Sequence, residues 1–68
     1  MTFGENIKRI RKDMNITQEE MAKRIGISQS YIADIERNRK NISLAVIMKF
    51  SKGLNISINE FINDDIKI

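Results

Sequence analysis

Two helix starts stand only eleven residues apart in this chain, with a single residue between the end of one helix and the cap of the next. Thr17 and Glu20 form a capping box, in which the hydroxyl accepts the backbone N–H three residues on and the carboxylate accepts the N–H of Thr17. Met21, Ala22 and Ile25 then make an apolar stripe, and Gly26 stands where a left-handed backbone stops a helix. Only Ile27 separates Gly26 from Ser28, a second cap, after which Ile32 and Ile35 recur at helical spacing to about Arg37. A connection this short makes the two helices cross steeply, and Ala22 supplies the small side chain such a crossing needs.

The rest of the chain follows the same logic. Phe3, Ile7, Ile10 and Met14 share one face of a first helix over about residues 3 to 14, and Asn15 tolerates a left-handed end. Residues 38 to 42 form a polar loop, and Ser43 caps a fourth helix carrying Leu44, Ile47, Phe50 and Leu54. Ser57 with Glu60 reads as a further capping box, starting a short fifth helix over about 58 to 63. Proline is absent, period-2 alternation is scarce, and no linker or repeat divides the sequence. The expectation is one compact, all-α, five-helix domain over residues 1–68, with a helix-turn-helix core at about 17–37.

A chain of 68 residues buries only roughly 60% of its unfolded surface, so its stability margin is thin. It has no cysteine and no histidine, which removes disulfides, thiolate metal sites and Cys or His nucleophiles. Tight helix packing or a second copy must supply the shortfall. The carboxylates fall at caps or on surface faces, so no catalytic residue, metal, cofactor or small-molecule ligand is expected. The longest apolar run, Leu44 to Met48, is far short of the ~20 residues that span a bilayer. Charged residues near the N-terminus interrupt any signal-peptide core, so a cytoplasmic protein without membrane contact is expected.

Charge is polarised along the chain. Residues 1 to 52 carry +5 and residues 53 to 68 carry −2. A basic body suits a polyanion, and an acidic, isoleucine-rich tail suits pairing with protein; a solvated surface with excess lysine is the alternative. A short helix, a glycine turn and a second helix opening on polar residues is also the geometry that places one helix across the DNA backbone and the next in the major groove.

The phrases ITQEEMAKRIGIS, SYIADIERN and LNISINEFI, spread over residues 16 to 62, resemble the Cro/cI-type helix-turn-helix regulators, the XRE family that includes lambdoid phage repressors. Within it, ERNRKNISLAVIMKFSKGLNIS is most similar to controller proteins of restriction-modification systems, and small phage and plasmid repressors share much of it. The resemblance implies a lambda-repressor-like fold and a sequence-specific transcriptional regulator that binds double-stranded DNA at an inverted-repeat operator as a homodimer.

Carried over by position, the resemblance assigns base reading to Gln29, Ser30 and Tyr31, with Ala33 and Asp34 one turn further on. Gln18, Arg37, Arg39, Lys40 and Asn41 fall to phosphate contact, Gln18 also bracing the recognition helix. Arg11 and Glu36 match a structural ion pair between the first helix and the end of the third. Asp34 departs from what a phosphate-facing surface favours, and Arg37 is its expected partner. Asn38 stands where relatives often have glycine, and asparagine is the next residue to accept a left-handed backbone. The apolar residues Ile58, Ile62 and Ile66 are the expected dimer interface, with Phe61 inward. Two other readings stay open: an antitoxin-like module whose main partner is a protein, and a nucleoid-type binder without an operator.

Overall fold

The computed structural model describes residues 2–39 and 42–60. Four α-helices follow one another: α1 (Phe3–Asp13), α2 (Gln18–Ile25), α3 (Gln29–Glu36) and α4 (Leu44–Leu54), with a one-turn 3-10 helix at Ile58–Glu60. No strand occurs among the described residues, and none of their helices is long and apolar enough to cross a membrane.

Each boundary has a local cause. Thr17 Oγ1 accepts the Glu20 N–H at 3.0 Å while Glu20 Oε1 accepts the Thr17 N–H at 3.1 Å. Thr2 and Glu5 make the same reciprocal box at the start of α1, a T-x-x-E signal that the reading of the sequence passed over. Ser28 and Ser43 cap α3 and α4 through the N–H groups of Tyr31 and Val46. Gly26 ends α2 at φ 83°, ψ 33°, and Asn15 and Asn38 take φ values of 58° and 60° in the loops after α1 and α3.

Between the helices lies one core of Phe3, Ile7, Ile10, Ile16, Met21, Ala22, Ile25, Ile32, Ile35, Ile47, Phe50 and Leu54. The rings of Phe3 and Phe50 meet edge to face, centroids 5.5 Å apart, closing the first helix against the fourth. α2 packs on both α3 and α4, and α1 packs on α3. At Gly53 a Cβ would stand 2.8 Å from the Arg24 carbonyl oxygen and from Ile25 Cδ1, so α4 approaches the end of α2 as closely as backbone allows.

One expectation is corrected here. The fifth helix is, in its described part, the 3-10 turn alone. Ser57 Oγ accepts from Asn59, two residues on, rather than from Glu60, and the Glu60 N–H donates instead to the Ser57 carbonyl. The reciprocal box with Glu60 is therefore not made, and the Glu60 N–H closes an i→i+3 turn of the 3-10 kind. Leu44, the first residue of α4, is 55% exposed. At ~100° per residue it lies about 85° from the centre of the stripe made by Ile47, Phe50 and Leu54, on the flank it shares with the exposed Met48.

Candidate nucleic-acid interface

The site is built on α3, and the core beneath fixes its rotation. Ile32 and Ile35 are fully buried, which turns Ser30, Asp34 and Arg37 to the opposite side and sets Gln29 and Ala33 on one flank. Gln29 and Ser30 are exposed, Ala33 and Asp34 half-buried. The first turn carries no charged residue, so what it presents outward is an amide, a hydroxyl and the positive end of the helix dipole.

Tyr31 is placed differently from Gln29 and Ser30. It is half-buried and packed against the core, because it sits about 200° around the helix from Gln29 and directly one turn before Ile35. Gln29 and Ser30 therefore form the exposed polar edge without it. Asp34 makes no ion pair with Arg37 among the described residues; an exposed pair at this spacing gains too little to hold two side chains in one place.

Behind α3 a polar relay runs into the protein. Glu36, its side chain 3% exposed, accepts from Arg11 Nε at 2.7 Å and from Arg11 Nη2 at 3.1 Å. That bidentate hydrogen bond raises the pKa of the guanidinium further above its ordinary value. Arg11 Nη1 donates to the Ile16 carbonyl at 3.1 Å, so one side chain ties α1 to the start of α2 and the end of α3. Gln18 Nε2 donates to Glu36 Oε1 at 3.2 Å, and Gln29 Nε2 reaches Gln18 Oε1 at 3.5 Å. The Gln18 side chain is thus held between the buried carboxylate and the outward edge of α3, a link that no local pattern in the sequence reveals.

Two cations follow the end of α3. Arg37 and Arg39 are exposed and have no carboxylate within ion-pair distance among the described residues. Lys23 pairs loosely with Glu19 at 3.8 Å and Arg9 with Asp13 at 3.4 Å, both on exposed helix faces. Lys40 and Asn41, and the C-terminal Phe61, Ile62 and Ile66, lie outside the described residues. Ile58 is half-buried, packed against the core rather than wholly free for a partner.

Residues 7–61 match a family described as helix-turn-helix. The sequence is 38% identical over 65 residues, 96% of this chain, to the immunity repressor protein of Bacillus phage phi105, and it spans 45% of that protein. It is 35% identical over 63 residues to control protein C.MunI of a Mycoplasma species, covering 91% of this chain and 85% of that one. The crystal structure of the restriction-modification controller protein C.AhdI from Aeromonas hydrophila aligns with a TM-score of 0.82 at 32% identity, covering 88% of this chain and 91% of that chain.

Proposed function

The chain belongs to the helix-turn-helix family of DNA-binding transcriptional regulators, and from that membership we propose that it binds an inverted-repeat operator as a homodimer and controls transcription from it. The observation that carries this reading is the exposed, uncharged edge of Gln29 and Ser30 on a helix whose back is locked into the core. Unspecific binding needs positive charge, whereas hydrogen-bonding groups at the start of a groove-entering helix are what distinguishes one base from another.

In this reading Gln29 and Ser30 contact base edges, Tyr31 joins them as a base-reading residue from its half-buried place in the same turn, and Ala33 and Asp34 border the same bases. Gln18, Arg37, Arg39, Lys40 and Asn41 hold phosphates. The dimer forms through the C-terminal stretch with Ile58, Ile62 and Ile66, and the whole of residues 1–68 acts as one domain. The protein acts by binding rather than by catalysis, in the cytoplasm where its DNA is.

The likeness to C.MunI and C.AhdI over most of their lengths favours a controller protein of a restriction-modification system. A phage repressor is the second reading, favoured by the identity to the phi105 immunity repressor, of which this chain matches less than half.

Selection of bound duplexes from a random pool tests the proposal. The expected product is a pair of symmetry-related half-sites with centres about 10 base pairs, or a multiple, apart. A pool that enriches no sequence would leave only unspecific binding.

A further inference from the structure

We propose that Glu36 decides whether Gln29 prefers adenine or guanine, by fixing the direction of the amide hydrogen bonds that lead from the core to the recognition helix. The inference rests on the reading that Gln29 touches a base.

The reasoning starts at the buried end. The Glu36 carboxylate, paired to Arg11 and almost wholly removed from solvent, can only accept hydrogen bonds. Gln18 lies 3.2 Å from Glu36 Oε1 and must therefore turn its NH2 group toward it. Its own carbonyl oxygen then faces Gln29. A carbonyl oxygen also only accepts, so Gln29 turns its NH2 group inward to Gln18, at 3.5 Å.

What remains outward on Gln29 is one N–H and the carbonyl oxygen, a donor beside an acceptor. Adenine presents the complementary pair in the major groove, the N7 acceptor and the N6 amino donor. Guanine presents two acceptors, N7 and O6, and would set O6 against the Gln29 oxygen. Running the relay the other way would leave both N–H groups of Gln29 outward and match guanine. Nothing in the exposed first turn of α3 makes this choice. The buried carboxylate makes it, two side chains away, and Glu36 and Gln18 are positioning residues for the contact.

The test uses the full chain and duplexes that differ only at the base pair whose preference is lost in Gln29→Ala. Competition binding at fixed salt gives the adenine-to-guanine ratio there. Wild type is expected to favour adenine by about tenfold, the range of one good bidentate contact. Glu36→Gln removes the acceptor-only terminus, and the ratio is expected to fall to within about twofold while preferences at other positions stay. Because Glu36→Gln also weakens the Arg11 contact, Gln18→Met provides a second route that breaks the relay and leaves the ion pair in place. It should lower the same ratio, with the helical circular dichroism of wild type as the check on folding.

A folded Gln18→Met protein that binds every duplex more weakly but keeps the tenfold ratio would overturn the relay and leave the base contact standing. A wild-type preference for guanine at this position would overturn it too. If Gln29→Ala changed no base preference anywhere, the base-reading assignment itself would fall, and the inference with it.

Discussion

Gly4 lies against the backbone carbonyl of Ile35 with no room between α1 and the last turn of α3 for a methyl group. A Cβ at this position would collide with that carbonyl oxygen and come within 2.7 Å of Asn38 Oδ1. Gly4 has no positive φ, so glycine is required here for space alone. Alanine would gain about 1 kcal/mol of helix propensity, but overpacking costs roughly 1 to 3 kcal/mol and occasionally more, and a collision with a backbone carbonyl that cannot swing aside belongs at the upper end. Gly4→Ala is therefore expected to lower stability by about 2 kcal/mol in urea unfolding. A variant as stable as wild type would mean that α1 can move away from α3 freely.

The Arg11 and Glu36 pair makes a larger prediction. Arg11→Met strands a carboxylate that is 3% exposed, and removing one partner of a buried ion pair costs about 3 to 5 kcal/mol. For a domain of this size each kcal/mol is roughly 4 to 8 °C in melting temperature. The double variant Arg11→Met, Glu36→Leu should recover most of the loss, because no unpaired charge remains. Equal destabilisation in the single and double variants would place the cost in lost packing instead.

Stability at low pH should depend on the two capping boxes. The Thr17 backbone N–H, helped by its hydroxyl, holds the Glu20 carboxyl below the ordinary 4.5, and Thr2 does the same for Glu5. A lowered folded-state pKa means that the unfolded chain takes up protons first as pH drops. The stabilisation is complete above pH 4.5 and is lost as pH falls through the depressed values. Glutamine can accept the same hydrogen bonds without titrating. The urea midpoint of Glu5→Gln, Glu20→Gln should fall less steeply below pH 4.5 than that of wild type; parallel curves would assign the acid sensitivity elsewhere.

Salt reports the phosphate contacts. If Arg37, Arg39 and Lys40 each neutralise one phosphate in both protomers, log affinity should fall with log salt at a slope near −5, taking about 0.9 per contact. Arg39→Ala should flatten that slope by up to about two units per dimer and leave base preference unchanged. An unaltered slope would put Arg39 in solvent.

Much of this architecture is decided within spans of four residues. Thr17 with Glu20, Ser28, Gly26 and Ser43 act on backbone groups one turn away, so the starts of α2, α3 and α4 and the stop of α2 can be read without any tertiary information. The apolar spacing of Ile7 with Ile10, and of Ile32 with Ile35, likewise names the faces that become core. Those two kinds of signal suffice for the helical class, the helix-turn-helix core and the outward edge at Gln29 and Ser30.

Only tertiary structure could decide how far each stripe extends and what meets across it. Leu44 lies off the centre of its stripe and stays exposed, and Tyr31 turns onto the core, because neighbouring helices cover one arc of α4 and α3 and not another. Glycine at positions 4 and 53 has no local purpose; it answers to the carbonyls of Ile35 and Arg24, which approach from other helices. Ser57 has the spacing of a cap and closes a 3-10 turn instead. The relay from Arg11 through Glu36 and Gln18 to Gln29 joins residues up to 25 positions apart. Capping depends on hydrogen bonds within one turn, which sequence order fixes, whereas docking depends on interhelical distances and angles that exist only once the whole core has packed.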